Sequence, residues 1–300
     1  MKIAVTGVTG QVGWELVRCL QPFGKVVPLD RQNFDLGRPE TLAATLKHIR
    51  PDVIFNPAAY TAVDRAESEA ELAVRINAES VGVIAAEARS LGALLVHYST
   101  DYVFSGEGDQ PYRPTDPVGP RSVYGSSKLA GEEAVRASGA DWLCLRTSWV
   151  YASRGKNFVR TMLRLACDRE ELRVVADQVG APTWCRLIAD ASVLAMISAL
   201  HERREGRFVS EMLHLSAAGA VTWHGFAEAI IDGARHRGML GLRASRVVPI
   251  ATSEYPTPAR RPANSRLDCR DFERRFQTVL PAWEAGLSLC LDELQAREWK

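Results

Sequence analysis

The first sixteen residues read MKIAVTGVTGQVGWEL (1–16). Residues 2–7, KIAVTG, are a short apolar, β-branched run of strand type, and the stretch after them has helical spacing. Between the two stand Gly7, Gly10 and Gly13, a GxxGxxG spacing. Strand, glycine turn and helix in that order make a phosphate cradle. Glycines let the backbone approach a pyrophosphate, and the helix start offers unpaired N–H groups and the positive end of its dipole. A glycine triplet alone says little; its place directly after the first strand gives it weight. Gly7, Gly10, Gln11, Val12 and Gly13 are therefore expected to hold a dinucleotide.

Outward from this stretch the pattern repeats. KVVPLD (25–30), DVIFNPAA (52–59), ALLVHYST (93–100) and DWLCLRTS (141–148) are further buried-strand runs, and ELRVVADQVG (171–180) offers a sixth. Between them lie apolar residues three and four apart, such as Leu42, Leu46 and Ile49, or Leu72, Ile76, Val83 and Ile84. The alternation predicts an α/β fold with a Rossmann-type, doubly wound parallel sheet and helices on both faces. After about residue 150 the pattern loosens. FVSEMLHLSAAG (208–219) and RVVPIAT (246–252) read as short strands, and residues 223–238 and 281–299 read as helices. EYPTPARRPANS (254–265) reads as a Pro- and Arg-rich loop. The expected division is a dinucleotide-binding domain over 1–150, rejoined by a segment near 170–202. A smaller mixed α/β substrate domain takes most of 151–300.

Bulk properties exclude several function classes. A chain of 300 residues with a formal net charge of +1 gives no electrostatic ground for nucleic acid or an anionic membrane as partner. The six cysteines show no CxxC spacing and sit mostly in apolar contexts, so buried thiols are expected and a metal site is not. The largely apolar stretch 187–200 is interrupted by Asp190 and too short to span a bilayer. With no signal-peptide n-region and cleavage site, a cytoplasmic protein is expected.

A dinucleotide needs contacts at the end of the second strand. Asp30 stands there, where a carboxylate can accept from ribose hydroxyls. Its neighbour Arg31 can instead pair with a 2′-phosphate, so the pair leaves NADPH or NADH open. Asp35 and Leu36 are expected near the adenine, and Ala58, Ala59 and Tyr60 where the cofactor crosses the sheet edge.

SVYGSSKLAGEEAV (122–135) carries Tyr124 and Lys128, four residues apart and so on one face of a helix. A nearby ammonium favours phenolate, so Lys128 is expected to lower the Tyr124 pKa and make the hydroxyl a better proton donor. Ser99, Thr100 and Asp101 end the fourth strand, the edge at which open α/β sheets bind ligands. Thr100 is placed to share the oxygen that Tyr124 protonates. His97, inside that strand, reads as a core residue, and Glu15 as a surface helix residue.

The glycine turn, Thr100, Tyr124 and Lys128, in that order, resemble the extended short-chain dehydrogenase/reductase superfamily. The strings GVTGQVGWEL, FNPAAYTAVDRAESE, INAESV, STDYVFSG, YGSSKLAGE, RTSWVY, DQVGAPT and RRPANSRLD are similar to the dTDP-4-dehydrorhamnose reductase family within it. The resemblance runs from residue 1 to about 270, and its later strings are absent from generic superfamily members.

That resemblance implies hydride transfer from NADPH or NADH to the C4 carbonyl of dTDP-4-dehydro-L-rhamnose, with catalytic residues Thr100, Tyr124 and Lys128. Lys128 would also hold the nicotinamide ribose. It further implies a dTDP-sugar site containing Val63, Asp64, Thr100, Asp101, Tyr102, Trp149 and Asn157. Arg261, Asn264 and Ser265 would meet the diphosphate, Arg261 by the fork of its guanidinium. Asn157 also reads as a helix cap, and Asp177 and Gln178 as residues that shape a supporting loop. The oligomeric state is left open, a homodimer included. Two other readings stand beside this one. Another sugar-nucleotide reductase, epimerase or dehydratase would share the fold, but dehydratases usually carry Asp-Glu after the Thr, where this chain has Asp101-Tyr102. A non-catalytic nucleotide-binding regulatory subunit would have no need of Tyr124 and Lys128.

Overall fold

Strands form where the apolar runs stand. In the computed structural model, which describes residues 1–239 and 241–296, β1 (Lys2–Thr6) leads through the glycine turn to α1 (Gln11–Cys19). β2 (Lys25–Leu29), α2 (Pro39–Ile49) and β3 (Val53–Asn56) follow. Then come α3 (Val63–Ala66), α4 (Ala70–Val74), a π-helical turn (Arg75–Glu79) and α5 (Ser80–Leu91). β4 (Leu94–Thr100), α6 (Val123–Ala137), β5 (Asp141–Thr147) and β6 (Val150–Tyr151) continue the chain. Beyond them lie α7 (Phe158–Asp168), β7 (Glu171–Val175), β8 (Val179–Gly180), β9 (Thr183–Trp184) and α8 (Cys185–Arg204). The remainder is β10 (Glu211–His214), β11 (Val221–Thr222), α9 (Trp223–His236), β12 (Arg246–Ile250), α10 (Arg270–Phe276) and α11 (Trp283–Ala296). The helix expected over 281–299 is thus seen as α11; residues 297–299 lie outside the described residues, as does residue 300 of the expected substrate domain.

One sheet of six strands, ordered β10-β5-β4-β3-β1-β2, is parallel throughout. The chain winds outward from β1 to β2, then returns to β3 on the other side. That reversal leaves a crevice beyond the carboxyl ends of β1 and β3. Side-chain alternation divides the interior in two. Ile3 and Val5 face a core shared with Leu16 of α1, Ile188 and Met196 of α8 and Phe272 of α10. Ala4, Ile54 and Leu95 face the opposite core with Leu42, Leu46, Ile84 and Val135, from α2, α5 and α6. A third apolar cluster lies apart from the sheet. It joins Val159 and Leu163 of α7, Leu172 of β7, Phe226 and Ile230 of α9, and Leu287 of α11.

The sixth strand is not where the sequence puts it. Residues 171–180 form β7 and β8 in the smaller cluster, where β7 pairs with β12 and β8 with β11. β10 takes the sheet position instead, parallel to β5. The physical reason lies in burial. β7 buries Leu172 and Val174 but exposes Arg173, which suits a ribbon with one covered face. Leu213 and His214 of β10 are fully buried, as a strand covered on both sides requires.

Candidate active site

The glycine turn is built as a cradle. Gly7 adopts φ +57°, and a Cβ there would lie 2.9 Å from the Ala58 Cα. A Cβ on Gly13 would lie 2.3 Å from the Gly7 carbonyl oxygen. No side chain caps α1, whose first turn opens directly at the turn. A groove of about 600 Å³ runs from here across the strand ends. Gly7, Gly10, Gln11, Val12, Gly13, Asp30, Arg31, Asp35, Leu36, Ala58, Ala59, Tyr60, Tyr124 and Lys128 all line it.

At its outer end the Asp30 carboxylate accepts from the backbone N–H of Gln32 (2.8 Å) and Asn33 (3.2 Å), which shapes the turn after β2. The exposed Arg31 guanidinium stands 3.6 Å from Asp35. Across the groove, Tyr60 donates its backbone N–H to the Asn77 side chain (2.8 Å) and its hydroxyl to Glu69 (2.6 Å).

The inner end carries the chemistry. Ser122 caps α6 by accepting from the Gly125 N–H at 3.1 Å, and the helix then presents Tyr124 and Lys128 to the groove. Gly125 permits the close approach: a Cβ would meet the Tyr102 carbonyl at 2.2 Å. Lys128 is among the largest fully buried side chains, and its ammonium donates to the Tyr98 carbonyl at 2.7 Å. Burial pushes it down to about 8. Tyr124 moves against the sequence expectation. Burial pushes its phenol above the ordinary range, only partly opposed by the hydrogen bond with Thr100, and the nearby Asp101 carboxyl adds to the rise. Thr100 is buried and does not line the groove itself. Its hydroxyl donates to Asp101 (3.0 Å), whose buried carboxyl is pushed up to about 6.

Ser99, placed by the sequence at the ligand-binding strand end, lines the groove. Sequence reasoning missed several other residues here. Thr147 lines the groove too, and Ser99 and Thr147 each have a buried hydroxyl oxygen without a partner among the described residues. Asn77, fully buried in the π-helical turn, donates to the Tyr60 carbonyl (3.1 Å) and to Ser127 (3.0 Å), joining the groove wall to α6. The string INAESV was its only local signal. Arg146 and Glu132 form a buried bidentate pair (2.8 and 2.7 Å) that ties α6 to β5 one turn beyond Lys128. Glu15 is buried rather than exposed. It accepts from Arg18 (2.8 Å) and from Arg186 of α8 (3.1 Å), and the second partner, 171 residues away, is invisible to local reading.

The residues expected around the sugar and diphosphate are partly joined. Arg261 reaches Asp64 (2.6 Å) and the Tyr102 hydroxyl (3.1 Å), and the Tyr102 ring meets that of Tyr124 edge-on, centroids 5.5 Å apart. Val63, which begins α3, precedes Asp64 directly. Trp149 stands apart from that chain of contacts, stacked on Trp223 at 3.5 Å. Asn157 caps α7 and also donates to Gln11 (3.0 Å), fastening the glycine turn to the loop before α7. Asn264 donates to the Gln110 carbonyl (2.7 Å), and Ser265 is buried. Asp177 accepts from the backbone of Thr252 at 2.9 Å and Gln178 donates to its hydroxyl at 3.0 Å, as loop-shaping residues should. His97 is fully buried, its ring 3.2 Å from the Asn56 amide. Among the described residues, no helix is long and apolar enough to cross a membrane, and no cluster of His, Cys, Asp or Glu is suited to a metal ion.

Comparison with known proteins bears on the fold and the family. The family model described as the RmlD substrate binding domain matches residues 1–296. A dTDP-4-dehydrorhamnose reductase of Burkholderia thailandensis is 55% identical over 98% of this chain and 99% of its own length. Among solved structures, the Clostridium acetobutylicum dTDP-4-dehydrorhamnose reductase superposes with a TM-score of 0.87 at 35% identity, covering 98% of this chain and 100% of that one. The Bacillus anthracis enzyme, solved in complex with NADP, gives a TM-score of 0.86 at 34% identity over 97% and 99%. With matches in sequence and in fold that span nearly the whole chain, the chain belongs to the dTDP-4-dehydrorhamnose reductase family.

Proposed function

We propose that the protein reduces the C4 keto group of dTDP-4-dehydro-L-rhamnose to give dTDP-L-rhamnose, using NADPH or NADH. The observation that carries the reading is the single groove lined at one end by the glycine turn and at the other by Tyr124 and Lys128. The groove fits a dinucleotide on its own terms. Its turn has no room for a Cβ on Gly7 or Gly13, and the hydroxyl oxygens of Ser99 and Thr147 await polar partners at the inner end. The NADP in the Bacillus anthracis relative supports NADPH, as does Arg31 at the groove's rim.

The bound reduced nicotinamide would supply the hydride. Gly7, Gly10 and the first turn of α1 hold the pyrophosphate, and Asp30 or Arg31 the adenosine ribose. Lys128 binds the nicotinamide ribose and keeps positive charge beside the reacting centre. Tyr124, its phenol neutral because of burial, donates its proton to the C4 oxygen as negative charge develops there. Thr100 orients the phenol. Asp64, Tyr102 and Trp149 form the sugar wall, and Arg261 takes the diphosphate with a guanidinium that Asp64 and Tyr102 hold in place. The test is turnover of purified protein with the keto-sugar nucleotide and each reduced cofactor, followed as loss of dihydronicotinamide absorbance. Consumption with identification of a C4 alcohol bears the reading out; no consumption with either cofactor rejects it.

A further inference from the structure

Trp149 is one of three non-glycine residues at positive φ among the described residues, at +48°. A bulky aromatic has no intrinsic reason to be there, and such a backbone persists only where its surroundings hold it. Here they do. The turn from β5 to β6 is pinned by the Thr183 N–H, which donates to the Trp149 carbonyl at 3.1 Å. The Trp149 indole lies on that of Trp223, with centroids 3.5 Å apart and planes 8° from parallel. Phe158 backs Trp223 at 4.6 Å. Gly180 closes the slot: a Cβ there would lie 2.4 Å from Trp149 Cε2, so only glycine fits. Gly180 and Trp223 are brought together by the two-residue β8–β11 ladder, in which Val221 pairs with Gly180 and Thr222 with Val179. The Thr222 hydroxyl then caps α9, accepting from the Gly225 N–H at 3.0 Å, and so fixes Trp223 as the first residue of that helix. Thr147 and Val150, on either side of the strained turn, line the groove.

We propose that Trp223 and Gly180 form a clamp that positions the Trp149 indole as a wall of the sugar site, making Trp223 a positioning residue for sugar recognition. The proposal rests on the reading that Trp149 meets the sugar, and it adds what holds that indole in place. Two indoles in face contact couple excitonically in the far ultraviolet, giving a circular-dichroism couplet whose strength grows as one ring is turned in its plane against the other, a readout that does not depend on activity. The wild-type protein should show the couplet, and Trp223→Ala, Gly180→Ala and Trp149→Phe should each lose it. Trp223→Ala should raise KM for the keto-sugar nucleotide about fivefold, the range expected of one aromatic contact, with kcat and the KM for NADPH little changed. Trp223→Phe keeps a flat ring in the slot and should restore KM to within about twofold of wild type. Gly180→Ala leaves both tryptophans present and should reproduce the KM rise by crowding, which keeps the test available if Trp223→Ala folds poorly.

An unchanged KM in Trp223→Ala and Gly180→Ala while Trp149→Phe raises it overturns the clamp, as does an equal rise in KM for NADPH. Unchanged KM in all three variants rejects the placement of Trp149 beside the sugar, and the clamp's purpose with it.

Discussion

The buried Lys128 ammonium carries an energetic cost that can be measured. Burial lowers its pKa from 10.5 to about 8. A gap of that size corresponds to about 3 kcal/mol, since one pKa unit is worth about 1.4 kcal/mol. The sign follows from proton counts. Between pH 8 and 10.5 the unfolded chain holds a proton on this lysine that the folded chain has released. Stability therefore rises with pH through that window, while the full penalty stands below it. Lys128→Met removes the ammonium and the penalty. It also strands the Tyr98 carbonyl that Lys128 bonds at 2.7 Å, at a cost of about 1–3 kcal/mol that does not vary with pH. Absolute stabilities thus mix two opposing effects, but their pH dependence isolates one. Denaturant unfolding of both proteins at about pH 7 and about pH 10 should show the free-energy difference between them shifting by about 2–3 kcal/mol, with wild type gaining on the variant at high pH. A difference that stays constant within about 0.5 kcal/mol would refute the burial of a charged lysine here.

Other consequences concern function. Tyr124→Phe should lower kcat about 10²–10⁴-fold, the range of general acid catalysis, while cofactor affinity measured by fluorescence titration stays near wild type; undiminished turnover rules the phenol out as proton donor. As Lys128 loses its charge near pH 8, kcat/KM for NADPH should fall on the alkaline side; a flat profile to about pH 10 argues against a charged Lys128 in cofactor capture. Arg31→Ala should weaken NADPH about tenfold relative to NADH, as loss of one charge-assisted contact to a 2′-phosphate would, and equal weakening of both removes Arg31 from that role. Arg261→Ala should raise KM for the sugar nucleotide about 10- to 100-fold with the KM for NADPH unchanged; a normal KM for the sugar nucleotide places the diphosphate elsewhere.

How much could be read from the chain alone depended on sequence distance. The cradle is contiguous, so strand, Gly7-Gly10-Gly13 and helix declare themselves, and the residues expected to touch the cofactor all line one groove. Tyr124 and Lys128 share a helix face by spacing alone. Long-range facts were hidden. Nothing local reveals that β10 rather than residues 171–175 completes the sheet, since both are short apolar runs and only burial on two faces separates them. Glu15 looks like a surface residue until α8 brings Arg186 to it. The direction of the Tyr124 shift also needed the fold, because i, i+4 spacing says nothing of how deeply the phenol is buried. Trp149 and Gly180 stand in strings that local reading singles out, yet the indole that joins them belongs to Trp223, at the start of a distant helix.

The proposed reaction is a direct passage of hydride from the cofactor to one sugar carbon. The keto-sugar nucleotide should be incubated with protein and NADPH deuterated on the transferring face of nicotinamide C4, and the product examined by NMR. Deuterium at C4 of a 6-deoxy sugar nucleotide, one per turnover, is the result expected of this groove. Deuterium at another carbon, exchange into water, or an unchanged sugar would contradict it.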